Sequence, residues 1–263
     1  MEKSAQAVTD LLHLMTTLRE GCPWDRRQTM RSLRGHSLDE IYELLEAIDN
    51  NDLTAVREEL GDILFHIAFY AQIASEQGQF DFADVATAVV EKLQRRHPHV
   101  FADAKFSNRQ QLAQSWETTK QAERLAKKGG ASLLDDVAVT LPETLRAAKL
   151  QKRAAAVGFD WAEAAAVVAK VREELQELEQ ALAERQQDDI EQEMGDVLFS
   201  CVNLSRHLRT DPELALRAAN RKFERRFRYI EDRLAEQNKT LTEVGQDEME
   251  RLWEQAKQAE QQG

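Results

Sequence analysis

Little in these 263 residues favours turns, because only 10 are glycine and 4 are proline. So few breakers exclude collagenous and loop-rich chains, and alongside abundant Ala, Leu, Glu, Gln and Arg they favour long helices. The only 2 cysteines, Cys22 and Cys201, stand far apart. They form no C-x-x-C, so neither a zinc cage nor a disulfide framework is expected, and a reducing, cytoplasmic setting is the natural compartment. Positive charge is also short: 35 Lys and Arg face 47 Asp and Glu, a net charge of -12. That balance disfavours nucleic acid polymers as non-specific partners and leaves small anions wherever bases cluster locally. The longest apolar run, Leu60 to Ala74, contains Asp62 and His66 and is too short to span a bilayer. The start, Met1 to Met15, carries Glu2 and Asp10 and lacks the apolar stretch of a signal peptide, so no membrane anchor is expected. Neither G-x-x-x-x-G-K nor G-x-G-x-x-G occurs, which removes P-loop and Rossmann chemistry.

What is present is helical periodicity. Apolar residues recur at the spacing of one helix face, as in Leu60, Ile63, Leu64 and Ile67, or Val171, Leu175, Leu178 and Leu182. Strand-like alternation is hard to find, so the fold class is all-α. Helix breaks are expected at Gly21-Cys22-Pro23, Asn50-Asn51-Asp52, Gly78, His97-Pro98-His99, Gly158 and Asp211-Pro212. Ser37 followed by Glu40 fits a capping box that starts a helix there.

An internal repeat organises the rest. Glu40, Glu43, Glu59 and Asp62 recur as Glu174, Glu177, Glu193 and Asp196, each displaced by 134 positions. Around the second pair, Gly61-Asp62-Ile63-Leu64-Phe65 matches Gly195-Asp196-Val197-Leu198-Phe199. Lys92, Arg95 and Arg96 return as Lys222, Arg225 and Arg226 at an offset of 130, and Trp116 and Lys120 return as Trp253 and Lys257 at 137. The chain thus reads as a tandem repeat of two helical bundles, 1–127 and 142–263. The stretch 128–141, rich in glycine at its start and followed by Pro142, reads as the linker.

Residues three apart share a helix face, so each set supplies two carboxylate pairs on successive helices, and the sixteen-residue gap leaves room for an antiparallel return. Packed face to face, four carboxylates converge, and their repulsion is tolerable only with protons or a cation between them. Hard divalent ions meet that need, and an all-oxygen shell favours Mg²⁺, or Mn²⁺, over zinc. The alternative is a solvated acidic face. Against it, Asp62 and Asp196 sit in otherwise apolar stretches, where an unpaired buried carboxylate costs several kcal/mol unless ligated. His66, four residues beyond Asp62, reads as a buried structural histidine or a supporting partner, and Cys201 as a small core residue.

Lys222 and Arg226 are four apart and share a face, as Trp253 and Lys257 do. Metal, cations and an indole suit a phosphorylated ligand carrying a base. Helix salt bridging of Lys222 and Arg226 with Glu224, and core packing of Trp253 with Leu252 or Met249, are the competing readings. A carboxylate-bridged di-iron bundle is disfavoured, because no histidine follows a glutamate by three. A non-enzymatic acidic helical scaffold or a regulatory nucleotide-binding protein is the remaining alternative.

Gly21-Cys22-Pro23-Trp24-Asp25, Asp39-Glu40-Ile41-Tyr42-Glu43 with Glu59-Leu60-Gly61-Asp62, and Glu173-Glu174-Leu175-Gln176-Glu177 with Glu193-Met194-Gly195-Asp196 resemble the MazG family of nucleoside triphosphate pyrophosphohydrolases in its two-domain form. The resemblance spans essentially the whole chain. The E-E-x-x-E and E-x-x-D signature is complete in the second half, while Asp39 replaces the leading Glu in the first. It implies Mg²⁺-dependent hydrolysis of nucleoside triphosphates to the monophosphate and pyrophosphate, nucleotide-pool house-cleaning, homodimers, and activity chiefly in the C-terminal copy. It further implies that Glu174, Glu177, Glu193 and Asp196 are metal ligands, as Glu40, Glu43, Glu59 and Asp62 are in the first copy. Lys222, Arg226 and Lys257 would then meet the triphosphate, Trp253 the base, and Glu173 would help orient water.

Overall fold

Every regular element among the described residues of the computed structural model, which are 1–102, 104, 106–128, 132–135 and 137–262, is helical. Of the linker expected at 128–141, residues 129–131 and 136 lie outside the described residues. The chain divides into two units, Met1–Glu123 and Arg124–Gly263. The first holds α1 (Glu2–Gly21), α2 (Pro23–Arg27), α3 (Met30–Asp49), α4 (Leu53–Glu76), α5 (Phe82–Arg96) and α6 (Pro98–Phe101), and α7 (Arg109–Lys128) crosses the division. The second holds α8 (Glu143–Ala155), α9 (Ala164–Glu184), α10 (Gln187–His207), α11 (Pro212–Glu236), a 3₁₀ turn (Leu241–Glu243) and α12 (Gln246–Gln262). None of these helices is long and apolar enough to cross a membrane.

The expected breaks fall between elements, but the helix carrying Glu40 starts earlier than Ser37. Thr29 caps α3: its hydroxyl accepts from the Ser32 amide at 3.1 Å, and the Thr29 amide donates to Ser32 Oγ at 2.9 Å. Ser37 is therefore inside a helix already nucleated, and its hydroxyl donates to the Leu33 carbonyl and pairs with Tyr70. The next helix is capped by Asp52, whose carboxylate accepts from the Thr54 and Ala55 amides. Asn51 makes the turn in the left-handed region at φ 55°. The result is an α3–α4 hairpin, against which α1 packs on the α4 side.

Its core is Met15 of α1, Leu33 of α3, and Phe69 and Ile73 of α4, flanked by Phe65 and Tyr70. Each such buried side chain stabilises the unit by about 1.5–3 kcal/mol. In the second unit α9 and α10 make the equivalent hairpin, α8 packs on α10 and α11, and α12 returns along α11. Its apolar cluster lies in that last pair: Ile230, Leu234 and Leu252, packed by Leu241, Val244, Met249 and Trp253.

Both hairpins leave an apolar face open. Leu60, Leu64 and Ile67 of α4 are exposed, as are Leu175 and Leu182 of α9 and Met194, Leu198 and Phe199 of α10. This corrects an expectation drawn from the apolar surroundings of Asp62 and Asp196. Both aspartates are exposed among the described residues, as are the apolar residues beside them on the same face. Cys201, read as a core residue, is exposed as well.

Candidate active site

Each hairpin gathers acids from both of its helices. Glu40 and Glu43, one turn apart on α3, meet Glu59 of α4, and the three offer carboxylate oxygens within 4.8 Å of one another. Glu174 and Glu177 of α9 meet Glu193 of α10 within the same limit. The i, i+3 spacing puts each pair on one face, and the short turn brings the second helix back alongside it. Asp62 and Asp196, the fourth members of the sets, are not among these grouped oxygens. The charge of Asp62 nonetheless reaches Glu40 and Glu59.

The acids strain one another electrostatically. Desolvation raises the Glu40 carboxyl above the usual carboxylate range, and the charges of Asp62 and Glu43 add to it. Glu59 is raised for the same reasons, with Glu43 and Glu40 as the nearest charges, and it is hydrogen-bonded to Glu40. In the second copy, a hydrogen bond to Glu174 is the largest cause of a raised Glu177, ahead of desolvation. Carboxylates packed this closely repel one another unless a proton or a cation lies between them. An oxygen-only donor set of this spacing fits a hard divalent cation.

Among the described residues, Lys170 adds a cation to the second set, and no ion pair joins one to the first. Its Nζ lies 2.6 Å from Glu173 and 3.0 Å from Glu174. Neither residue spacing in the repeat nor the acid motif singles this lysine out.

The basic and aromatic residues form a separate group on α11 and α12. Arg226 lies 2.7 Å from Glu260, with its guanidinium 5.5 Å from the centre of the Trp253 ring. Trp253 is half-buried, 5.4 Å from Phe223 and packed on the α11–α12 core. Lys257 pairs with Glu254 at 2.7 Å, and Lys222 is exposed one turn before Arg226. Arg226 thus pairs across to α12 and not with Glu224, the partner in the competing salt-bridge reading. Among the described residues no hydrogen bond or ion pair joins this group to Glu174, Glu177 or Glu193.

One repeated device escaped the sequence reading. Glu260 is gripped by both Arg225 and Arg226, and Glu123 in the same way by Arg95 and Arg96. The two arginines hold the Glu123 carboxyl down to about 2, with Arg96 the larger cause. Glu123 and Glu260 are 137 apart, the offset of the Trp-x-x-x-Lys pairs, so extending that pair by three residues would have found them.

The description "MazG nucleotide pyrophosphohydrolase domain" matches residues 28–101 and again 163–230. Each match contains one complete acid set. This chain belongs to the MazG family. Trp253 and Lys257 lie beyond the second MazG match, whereas Lys222 and Arg226 fall inside it. The chain is 48% identical over 255 residues to the nucleoside triphosphate pyrophosphohydrolase of Escherichia coli (strain K12), covering 95% of this chain and 97% of that one. It is 42% identical over 259 residues to the nucleoside triphosphate pyrophosphohydrolase/pyrophosphatase MazG of Thermotoga maritima, covering 98% of each. A crystal structure of a mazG-related protein from Thermotoga maritima is similar over 43% of this chain and 97% of that one, at 28% identity and a TM-score of 0.39.

Proposed function

We infer that this chain hydrolyses nucleoside triphosphates to the nucleoside monophosphate and pyrophosphate, in nucleotide-pool house-cleaning in the cytoplasm. The observation that carries the reading is the three-carboxylate cluster inside each MazG match, with oxygens within 4.8 Å of one another. The two copies are assigned to 1–127 and 142–263, and turnover is assigned chiefly to the second.

In that copy Glu174, Glu177 and Glu193 hold Mg²⁺, with Asp196 completing the set from the next turn of α10. Glu40, Glu43, Glu59 and Asp62 are the counterparts in the first. When bound, Mg²⁺ neutralises phosphate oxygens and lowers the pKa of a coordinated water. The chain supplies the rest. Glu173, beside the ligands on α9, orients the attacking water. Lys222, Arg226 and Lys257 neutralise the triphosphate. Arg226 spends only part of its fork on Glu260, which leaves N–H donors for phosphate oxygens. Trp253, steadied by Phe223 and Arg226, offers its remaining exposed surface to the base. Homodimer formation is supported by Leu175, Leu182, Met194, Leu198 and Phe199, whose exposed apolar surface flanks the acids.

The test is an assay of canonical and modified nucleoside triphosphates with Mg²⁺, in which pyrophosphate and orthophosphate are measured separately. Stoichiometric pyrophosphate with monophosphate is expected. Orthophosphate as the sole inorganic product rejects the assigned bond.

A further inference from the structure

The two acid clusters differ in a residue one turn before their first ligand. In α9 that residue is Lys170, whose Nζ bridges Glu173 Oε1 at 2.6 Å and Glu174 Oε1 at 3.0 Å. Its charge reaches Glu177 too, so one ammonium serves three acids. In α3 the position 134 residues earlier is His36. It stands edge-on to Trp24 at 6.3 Å, and no ion pair joins it to Glu40 among the described residues.

The burial of the ligands differs in the same sense. Glu174 is only 6% exposed, whereas Glu40 is half-buried. A carboxylate that deep needs a counter-charge before any metal arrives, and Lys170 provides it. A divalent cation drawing on the same Glu174 oxygens meets that ammonium at short range, where like charges repel strongly.

We propose that Lys170 is a built-in counter-ion of the second cluster, which holds Glu174 in place in the metal-free protein and must leave it when a divalent cation binds. This rests on the reading above that the cluster holds such a cation. Once displaced, the ammonium is one turn from the cluster, on a side chain long enough to meet a phosphate oxygen. Cation and phosphate therefore bind the second cluster cooperatively, the phosphate supplying Lys170 with a new partner. The first cluster, with His36 at the equivalent position, takes the cation with no such coupling. Lys170 is in this sense a positioning residue acting through Glu174.

The experiment is Mn²⁺ binding to the full chain, followed by the electron paramagnetic resonance of free Mn²⁺. Glu40→Gln and Glu43→Gln are present throughout to silence the first cluster. On this background K170M is expected to bind Mn²⁺ alone about fivefold more tightly. Inorganic phosphate should tighten Mn²⁺ binding in the Lys170 and K170R proteins and leave K170M unchanged. Lys170 belongs to neither apolar core cluster, so the variants are expected to fold. Equal or weaker Mn²⁺ binding by K170M overturns the proposal while leaving the metal site intact. If Glu174→Gln makes no difference to Mn²⁺ uptake on the same background, the metal reading itself fails and takes the Lys170 proposal with it.

Discussion

The α3–α4 and α9–α10 hairpins present the same acids at the same spacing, yet they are held by opposite means. In the first, Leu33, Phe69 and Ile73 are buried against α1. At the same register the second has Val167, Asn203 and His207. Asn203, at 4% exposure, stands where Phe69 is fully buried. It accepts from Arg206 at 2.8 and 3.0 Å, and Arg206 donates onward to Asp160, which His207 also meets at 2.9 Å. Gln151 of α8 closes the other side by donating to the Phe199 carbonyl at 2.8 Å. At two of these three positions, hydrogen-bonded polar side chains thus stand where the first hairpin has apolar core residues, while Val167 stays apolar and buried. The turns differ likewise: Asp52 caps α4 after Asn51, whereas α10 follows Arg185 in the left-handed region with no side-chain cap. A duplicated site geometry does not require a duplicated scaffold.

Three pairs of substitutions break or sharpen that contrast. The largest effect is expected from Glu174→Gln, which should lower kcat/KM for pyrophosphate release by about 10³-fold, the scale of losing a metal's charge stabilisation. Glu40→Gln should change it by less than about threefold. The reverse ranking would move the active copy to the N-terminal half.

Next is the scaffold itself. Phe69→Ala should cost the first unit about 3–5 kcal/mol in urea unfolding, because it leaves a cavity in a dry core. Asp160→Asn should cost the second unit less, and its cost should depend on pH. Hydrogen bonds from Arg206, then His207, hold the Asp160 carboxyl below its ordinary value. Its contribution is therefore present above about pH 4 and lost as pH falls through the lowered folded value. Below that point the two proteins should converge. A deficit that persists in strong acid would assign the loss to packing.

The smallest effect concerns the turns. Arg185→Gly relieves a side chain at φ 57° and should raise the second unit's melting temperature by about 2–4 °C, or about 1 kcal/mol. Asn51→Gly, starting from a residue that tolerates this region, should change little by the same measurement.

Much of this was legible before any coordinates. Apolar periodicity marked the helices, Pro, Gly and Asn-Asp clusters marked the breaks, and i, i+3 acids on adjoining helices marked the clusters, because each signal is local to a turn or two of helix. The misreadings were non-local. Ser37 carries the capping pattern, yet Thr29 starts the helix, since a cap acts only where the preceding chain is extended. Apolar neighbours suggested that Asp62 and Asp196 were buried, but burial depends on what packs opposite, and among the described residues both are exposed. Lys170 and the Glu123 and Glu260 forks were invisible to motif spacing, for they are defined by partners across a helix turn or on another helix.

The sequence by itself determined that this protein is helical, duplicated and armed with two sets of acids, because periodicity and repetition are properties of the chain order. Only the tertiary structure decided which three acids of each set converge, that one cluster carries its own ammonium, and that Asn203 joins a polar network where Phe69 packs in an apolar core. Those outcomes depend on distances between helices and on what each side chain meets there, which no spacing along the chain specifies.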